Sequence, residues 1–496
     1  MGQVPRGSPE PSVGQIGAGA PGERTLPPTR TIAHGREQIK AAGGPSRRIL
    51  VVDDDATGSQ AVHDVSILFA FDKGQLAEAF AAPGACAFVL TNSRSLDRQQ
   101  ASAANRDIAT AALAQCRAAQ QRLTIVSRSD STLRGHLFAE VAALNEAHRS
   151  VLGKEFDAVL LAPAYFEAGR VTVGDTHWAR ISGQLVPVGE TEFARDATFG
   201  YVSSDLREFV AEKSSGELRP SDVMSINLDD IRVGGVERVA EVLSPLHGMR
   251  FVIVNGLEYA DYEVVALAAS HLEAAGKAFL YRTGPSFVPV LAGLGESEPL
   301  SGVEIWRGQR RAGHGLVVVG SHTALTNRQL DNARSHHSLT EVELDAAKVA
   351  DDRSRDAHVA DVAARVVNAL AHSDVLLVTS RSVPDRAVTS RSGQGDDLAL
   401  ARLVSRALTD VLAPLRGKEP AWVIAKGGIT SHDVALRGFG IQRALVIGQL
   451  GRGIISVFEP VSAHPGSVGM PYVVFAGNVG NEQSLSDAID RLGSAA

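Results

Sequence analysis

The fold is indicated by residues 48–58, RILVVDDDATG, in which a run of apolar residues passes directly into an acidic turn that ends in glycine. An uninterrupted apolar run of this length is typical of a parallel strand buried on both faces. The turn follows at the carboxyl end of that strand, where open α/β sheets bind their ligands. The sequence therefore predicts a strand that carries Asp53, Asp54 and Asp55 into a candidate site.

Similar apolar runs recur along the chain, with Ala- and Leu-rich helical segments between several of them. This alternation predicts an α/β fold with mostly parallel sheets flanked by helices. The runs fall into two series, which predicts two α/β units. They lie at 87–90, 123–126, 158–161 and 251–254 in the first series, and at 316–319, 375–378, 422–425 and 444–447 in the second.

The chain has 496 residues, of which 44% are hydrophobic, and is long enough for at least two domains. Residues 1–47 are rich in Gly, Pro, Arg and Ser without an apolar period, which predicts a disordered N-terminal extension. The two series of strands place the domains at 48–290 and 315–496. Between them, residues 291–314 are expected to form a linker, in which 303–306 has the pattern of a short strand.

Composition favours a small-molecule partner over a nucleic acid or a membrane. Lys and Arg number 49 and Asp and Glu number 56, and neither sign forms the long block expected of a nucleic-acid-binding arm. No apolar run approaches the roughly 18 residues of a membrane span, and the N-terminus lacks a signal peptide's apolar region, so a cytoplasmic location is expected. Cys86 and Cys116 lack the companions of a zinc site, and His63 and His177 lack a third ligand at metal-site spacing, so no protein metal site is predicted.

Two polar segments follow strands of the first series and are expected to lie close together. Residues 53–55 place three carboxylates in succession, although a helix cap needs only one, and crowded carboxylates require compensating cations, hydroxyls or a metal. In the segment 127–135, SRSDSTLRG, Arg128 and Arg134 flank Asp130. Guanidinium groups are natural receptors for a carboxylate, so this spacing is compatible with a substrate-binding fork or with an Arg–Asp salt bridge inside the domain.

Glycine-containing loops follow strands of the second series. Small residues there allow backbone N–H groups to approach phosphates, although each loop alone is also ordinary turn chemistry. The sequence contains neither a G-x-x-x-x-G-K-[ST] motif nor a G-x-G-x-x-G motif after the first strand, so any nucleotide would bind in a less common cradle. The loops are GSHT at 320–323, KGGITS at 426–431, GQLGRG at 448–453 and GNVG at 477–480.

Taken together, these segments resemble the four-carbon acid sugar kinase family over roughly residues 49–492. They occur in the order that the family shows, and several short motifs in the right order are far more specific than any one of them. The motifs are DDATG at 54–58, DSTLRG at 130–135, PAYFEAGR at 163–170 and GGITS at 427–431, supported by TNSR at 91–94, ETEFARD at 190–196, GSHT at 320–323 and GNVG at 477–480.

The resemblance implies an N-terminal domain that binds the sugar acid, a C-terminal domain that binds ATP, and an active site in the cleft between them. The implied reaction transfers the γ-phosphoryl group, with Mg²⁺, to the terminal hydroxyl of a four-carbon acid such as 3-oxo-tetronate, threonate or erythronate. Carried over by residue, it implies Asp55 and Asp54 as catalytic residues, Arg94, Arg128, Asp130 and Arg134 as substrate-binding residues, and Ser321, Gly427, Gly428, Ile429, Thr430 and Gly453 as nucleotide-binding residues.

Two positions depart from the commonest family pattern. Ile429 stands where an acidic residue is frequent, and Phe475 stands where a lysine often precedes the GNVG loop. The segment KGGITS is similar to that of a subgroup, which implies a variant ATP site rather than an inactive one. Its Lys426 is compatible with a phosphate contact and equally with a solvated surface position.

Phosphoryl transfer requires mainly positioning and charge stabilisation, with Mg²⁺ on the phosphates and a carboxylate that orients the attacking hydroxyl. We expect Asp55 or Asp54 to accept the hydroxyl proton. Arg128 and Arg134 are expected to clamp the substrate carboxylate, with Asp130 as the residue that orients the substrate. A second hypothesis is a catalytically silent sugar-acid sensor, which would not need the C-terminal glycine loops. The expected partner is a small sugar acid, and a homodimer is compatible with the sequence.

Overall fold

The structure is a computed structural model that describes residues 26–493 apart from 56, 308, 321–322, 381–393, 452 and 478. Its strands are β1 (Arg47–Asp53), β2 (Val65–Leu68), β3 (Cys86–Leu90), β4 (Arg122–Arg128), β5 (Ala158–Ala162), β6 (Arg170–Val173), β7 (Thr176–Ile181), β8 (Gln184–Pro187), β9 (Met224–Ile226), β10 (Arg250–Val254), β11 (Phe279–Thr283), β12 (Leu316–Val319), β13 (Thr340–Leu344), β14 (Val375–Thr379), β15 (Val423–Lys426), β16 (Arg443–Gln449), β17 (Ile455–Ser462) and β18 (Tyr472–Phe475).

Helices connect most of these strands. They are α1 (Gly35–Gly43), α2 (Lys73–Ala79), α3 (Arg98–Ala118), α4 (Leu137–Leu152), α5 (Leu206–Lys213), α6 (Gly235–Leu243), α7 (Tyr259–Ala274), α8 (Phe287–Leu291), α9 (Gly302–Trp306), α10 (Ala324–His336), α11 (Ala346–Ala350), α12 (Arg355–Leu370), α13 (Gln394–Leu412), α14 (Gly428–Asp433) and α15 (Ser484–Gly493). No helix among the described residues is both long and apolar enough to cross a membrane.

One fifteen-stranded sheet runs through both halves of the chain. The strands of the first half and most strands of the second pair in parallel, whereas β16 and β17 are antiparallel to their neighbours and join the two half-sheets. The predicted α/β fold class is confirmed, with the refinement that the two sheets are continuous. The order is β13-β14-β12-β15-β18-β17-β16-β2-β3-β1-β4-β11-β5-β10-β9, and β6-β7-β8 form a separate antiparallel sheet.

Strand β1 shows why the apolar runs form the centre of this sheet. Ile49 and Val51 belong to one buried cluster, whereas Leu50 and Val52 belong to another. Since successive side chains of a strand point to opposite faces, β1 is covered on both sides. The sheet of the first half therefore lies between two layers of helices, and its loops at the strand ends remain the places where polar groups can reach a ligand.

The parallel strands of the two halves run in opposite directions along the sheet, because β16 is antiparallel to β2 and to β17, and β17 is antiparallel to β18. In a flat sheet, the carboxyl ends of β1 and β15 would therefore lie at opposite edges. Neighbouring strands twist by about 20–25°, so the six steps from β15 to β1 rotate the strand direction by about 120–150°. A twist of this size turns the carboxyl ends of β1 and β15 toward the same edge of the sheet.

The N-terminal segment is more ordered than its composition predicts. Helix α1 packs against α7, and Ile39 on its inner face is fully buried. Arg36 forms an ion pair of 2.5 Å with Glu263 and donates a hydrogen bond of 2.6 Å to the Leu294 carbonyl. The prediction of disorder is wrong for residues 26–47, because contacts with distant elements stabilise them. Residues 1–25, for which disorder was also predicted, lie outside the described residues.

The segment between the two predicted domains contains helix α9 where a short strand was expected at 303–306. Its N-terminus carries a capping box, in which the Ser301 N–H donates to the Glu304 carboxylate at 2.8 Å and the Glu304 N–H donates to Ser301 Oγ at 3.4 Å. The strand prediction is wrong. The capping box and the burial of Ile305 and Trp306 stabilise a helical turn, although the β-branched residues of this segment are typical of a strand.

Candidate active site

The acidic turn begins at the carboxyl end of β1, where Asp53 is completely buried. Its carboxylate accepts hydrogen bonds of 3.1 Å from Arg128 Nη1 and from the Asp55 N–H. The turn is packed tightly, since a Cβ added to Gly58 would lie 1.7 Å from Asp53 Oδ2. Asp53 thus holds the turn in shape, while Asp54 and Asp55 face the neighbouring loops.

Arg94, from the loop after β3, connects the acidic turn with the loop after β4. Its guanidinium forms an ion pair with Asp55 and lies 3.4 Å from Asp54 Oδ1 and 3.9 Å from Asp130 Oδ2. The Asp130 N–H also donates to Asp54 Oδ2 at 3.4 Å. The structure therefore brings together the predicted catalytic and substrate-binding residues, which come from three loops of the first half.

Arg128 and Arg134 are each paired with a carboxylate. Arg134 Nε donates to Asp130 Oδ2 at 2.6 Å, as the spacing allowed, and Arg134 Nη1 lies 3.7 Å from Asp196. Arg128 instead turns to Asp53 and is 5% exposed. Both guanidinium groups therefore form the intradomain salt bridges that were the alternative to a free substrate-binding fork.

The four carboxylates differ in their protonation. Burial raises the pKa of Asp53 to about 6 and that of Asp54 to about 7. For Asp55 and Asp130, the effect of burial is outweighed by nearby guanidinium groups, first of all Arg94, so that their pKa values lie below the usual range. At neutral pH, Asp55 and Asp130 are therefore carboxylates, whereas Asp54 titrates near neutrality.

Two residues without a role predicted from the sequence border the acidic cluster, which is formed by Asp53, Asp54, Asp55 and Asp130. Arg170, at the start of β6, donates a hydrogen bond of 2.9 Å to Ser131 Oγ. Phe193 lies beneath two guanidinium groups, with ring-centroid distances of 5.3 Å to Arg134 and 5.6 Å to Arg170. Both residues lie in segments quoted for the family resemblance, but only the folded structure reveals that they meet at the acidic cluster.

His177 supports the same loop as a structural residue. It is fully buried, its Nε2 donates to the Ser131 carbonyl at 2.8 Å, and its Nδ1 lies 2.9 Å from Thr172 Oγ1. Burial lowers its pKa to about 4, so the ring is neutral. Within the part of the chain that the structure describes, no group of three or more His, Cys, Asp or Glu side chains is arranged to hold a metal ion.

The glycine turn after β15 lies directly against the acidic turn. Gly427 has φ = 112°, a conformation that favours glycine, and helix α14 begins at the next residue. A Cβ added to Gly428 would lie 2.9 Å from Asp55 Oδ1. Residues predicted for the substrate side and for the nucleotide side therefore meet at Asp55 and Gly428.

The remaining residues predicted for the nucleotide side are spread around this junction. Thr430 is buried beside Gly320, on which an added Cβ would lie 2.2 Å from Thr430 Oγ1, whereas Ile429 is 50% exposed. Gly453 has φ = 64°, and its carbonyl accepts a hydrogen bond from the Tyr165 hydroxyl of the first half. Gly453 therefore contributes to the contact between the halves. Ser321 lies outside the described residues.

Lys426 is an interior residue rather than a solvated one. Its side chain is fully buried, its Nζ donates to the Ala476 carbonyl at 3.2 Å, and it lies 3.7 Å from the centroid of the Phe475 ring. Lys426 and Phe475 are register partners in β15 and β18. Burial lowers the pKa of the Lys426 ammonium to about 7.

Replacing Lys426 with methionine is expected to stabilise the protein near neutral pH. Because the pKa of Lys426 is lower in the folded chain, the unfolded chain binds more protons between about pH 7 and 10, and the free energy of unfolding rises with pH there. Lys426→Met removes this rise in the free energy of unfolding, which amounts to about 1–3 kcal/mol over two pH units. Urea unfolding at pH 7.5 and 9.5 measures the difference. Exposed Lys418→Met is the control, and an unchanged pH dependence in Lys426→Met would contradict the assignment.

Comparison with known proteins identifies both halves of the chain. Residues 49–291 match the family model described as a sugar-binding N-terminal domain. Residues 316–485 match the model described as a nucleotide-binding C-terminal domain. Together the two matches cover most of the chain and divide it between β11 and β12.

Two curated relatives are named as kinases of four-carbon acids. A D-threonate kinase of Salmonella typhimurium is 30% identical over 347 residues, which cover 68% of this chain and 73% of the relative. A D-erythronate kinase of Heliobacterium modesticaldum is 26% identical over 388 residues, covering 74% of this chain and 78% of the relative. The protein is therefore a carbohydrate kinase that uses a nucleotide.

The chain belongs to the four-carbon acid sugar kinase family. Two solved structures share its fold. One, titled a putative tRNA synthase from Salmonella typhimurium, has a TM-score of 0.64 at 18% identity and covers 89% of this chain and 98% of its own. The other, a Haemophilus influenzae protein, has a TM-score of 0.59 at 16% identity and covers 89% of this chain and 100% of its own.

Proposed function

We propose that the protein transfers the γ-phosphoryl group of ATP to the terminal hydroxyl of a four-carbon sugar acid of the threonate, erythronate or 3-oxo-tetronate type. The observation that carries this proposal is the contact between Asp55, on the sugar-binding half, and Gly428, on the nucleotide-binding half. A phosphoryl donor held by one half and an acceptor held by the other would meet at that contact, in the cleft between the two domains.

Asp55 is the residue that we assign to the acceptor hydroxyl. Its Oδ2 is held by Arg94, and its Oδ1 accepts a hydrogen bond of 2.9 Å from the Thr57 N–H while facing Gly428. Since its pKa is lowered, it is ionised and able to accept the hydroxyl proton at neutral pH. Phosphoryl transfer depends mainly on orientation, so a weakly basic carboxylate in the right place suffices.

Asp54 acts next to it as a positioning residue. It is 2% exposed, accepts from the Asp130 N–H and lies beside Arg94. These contacts tie the loops after β1, β3 and β4 together around the acceptor position. Asp130 is ionised and paired with Arg134, so it can accept hydrogen bonds from the hydroxyl groups of a sugar acid.

The second half fits a nucleotide in the region of the glycine turn. Gly428 leaves its backbone N–H unobstructed by a side chain, whereas the Gly427 N–H donates to the Phe475 carbonyl at 2.8 Å. Thr430 lies in the turn that follows. ATP supplies the phosphoryl group, and Mg²⁺ neutralises the charge of its phosphates. Mg²⁺ commonly needs only one or two protein carboxylates besides phosphate and water, and Asp55 is the carboxylate that would hold it on the side of the glycine turn.

The two curated relatives are named for different acids, so the test must cover several substrates. We expect ATP consumption with at least one of D-threonate, L-threonate, D-erythronate and the 3-oxo-tetronates, measured as ADP release. The product should carry a phosphate ester on the terminal carbon, which ³¹P–¹³C couplings identify. If one of a broad panel of four- and five-carbon acids binds and none is turned over with ATP and Mg²⁺, the proposal is wrong.

A further inference from the structure

The four arginines of the acidic cluster are not equivalent. Arg94, Arg128 and Arg134 each lie within 4.0 Å of at least one carboxylate. For Arg170, none of the described residues supplies a carboxylate at that distance. Its protein contacts are the Ser131 hydroxyl and the faces of two aromatic rings. Arg170 is therefore the arginine among these four whose charge is not paired with a carboxylate of the described residues.

The backbone and one side-chain contact fix Arg170 at the edge of the cluster. At the start of β6, its N–H donates to the Tyr165 carbonyl and its carbonyl accepts from the Tyr165 N–H, both at 2.9 Å. Its guanidinium donates to Ser131, the residue after Asp130. The small β6-β7-β8 sheet thus extends a guanidinium group to the loop that also carries Asp130 and Arg134.

The surroundings of Arg170 favour the binding of an anion. Burial lowers the pKa of Arg170, Asp130 and Tyr165 oppose this effect, and the nearby cations Arg134 and Arg128 reinforce it. A largely desolvated cation without a carboxylate partner is unfavourable unless an anion compensates it. A bound carboxylate would supply that charge.

Phe193 keeps two of the guanidinium groups in a defined orientation. The ring centroid lies 5.3 Å from Arg134 Cζ and 5.6 Å from Arg170 Cζ. Guanidinium groups at this distance are stabilised by the face of an aromatic ring, which leaves their N–H groups available. The charge of Arg134 is already paired, because its Nε donates to Asp130 and its Nη1 lies 3.7 Å from Asp196. Arg170 presents a planar fork that no carboxylate of the described residues approaches within 4.0 Å, and such a fork matches a ligand carboxylate.

We propose that Arg170 binds the carboxylate of the sugar acid and gives the protein its preference for acids over uncharged four-carbon polyols. This inference rests on the proposed function and assigns the clamp to Arg170 instead of Arg128 and Arg134. The acid would extend from Arg170, past Asp130 and Arg94, to the terminal hydroxyl at Asp55. Arg128 and Arg134 then shape the pocket through Asp53 and Asp130.

Arg170→Gln tests this assignment. We expect the Kd of the sugar acid, measured by calorimetry without nucleotide, and its KM to rise by about 10- to 100-fold, as for the loss of charge-assisted hydrogen bonds. The kcat should change only a few-fold, because the proposal places Arg170 at the carboxylate of the acid and not at the reacting hydroxyl. The wild-type preference for the acid over erythritol and threitol should fall by the same factor. Arg170→Lys, which keeps the charge without the fork, should lie between the two proteins.

Arg180→Gln is the matched control, because Arg180 lies on β7 of the same small sheet, is exposed, and donates to the Gly183 carbonyl. It should leave Kd, KM and the preference for acids unchanged. The inference is wrong if both Arg170 variants bind the acid as tightly as the wild type. If the wild type binds the acid without phosphorylating it, the proposed function fails, and the calorimetric comparison still decides the role of Arg170. If the wild type binds no acid, both proposals fail.

Discussion

Replacing Asp55 with asparagine is expected to lower kcat by about 10²- to 10⁴-fold, the range typical of a lost general base. The carboxylate lies at the contact between the two halves, is ionised because Arg94 and Arg128 outweigh its burial, and directs one oxygen to Gly428. Asparagine keeps the size of the side chain but cannot accept the hydroxyl proton. The Kd of the sugar acid, measured without ATP, should change far less than kcat.

Asp64→Asn provides the control for this replacement. Asp64 lies in the same loop region, its side chain is 70% exposed, and its φ of 54° is one that asparagine also adopts readily. Its replacement should leave kcat unchanged. Retained activity in Asp55→Asn together with loss in Asp54→Asn would move the base to Asp54. A kcat/KM that falls as the pH drops through about 7, where Asp54 titrates, would also identify Asp54 as the base.

Replacing Gly428 with alanine is expected to lower kcat by about 10²-fold, because small displacements of the reacting groups are that costly. The added Cβ would lie 2.9 Å from Asp55 Oδ1. Asp55 cannot simply move away, since Arg94 and the Thr57 N–H hold its two oxygens. Nucleotide approach and the position of the carboxylate should therefore be disturbed together, whereas the affinity for the sugar acid should be nearly unchanged.

Gly295→Ala is the control for the added methyl group, because a Cβ on Gly295 would meet no heavy atom within 4 Å. This variant should match the wild type in kcat and in thermal stability. Full activity in Gly428→Ala would show that phosphoryl transfer occurs away from the junction of the two turns, and it would remove the main support for placing the active site there.

Much of the sheet could be predicted because buried parallel strands leave a continuous apolar run. The runs before Asp53 and before Lys426 correspond to β1 and β15. The predicted run at 444–447 lies within β16. The neighbouring strand β17, which contains Pro460, was not among the predicted runs. Their antiparallel pairing, which makes the two sheets continuous, depends on contacts that no local pattern encodes.

The candidate site was predictable to the extent that it follows from strand ends. Polar loops after parallel strands converge, so the proximity of Asp54, Arg94 and Asp130 could be expected. The pairing of these residues could not be predicted, because the sequence spacing permits each arginine to pair with several carboxylates. In the structure, Arg128 pairs with Asp53 and not with Asp130. The role proposed for Arg170 depends on the small sheet, whose approach to the acidic cluster has no signal in the sequence.

The order of residues 26–47 and the burial of Lys426 share one physical reason. Both depend on partners far away in the chain, such as Glu263 for Arg36 and the Ala476 carbonyl for Lys426. Composition describes what a segment could bury by itself. It does not show which contacts the rest of the fold provides to that segment.

The most direct test of the central claim is a crystal structure of the protein with an unreactive ATP analogue and a sugar acid that it phosphorylates. The account predicts that the terminal hydroxyl and the γ-phosphate lie about 3–3.5 Å apart, between Asp55 and Gly428. A nucleotide whose terminal phosphate lies away from the acidic turn, with the acid bound elsewhere than between Arg170 and Asp55, would contradict it.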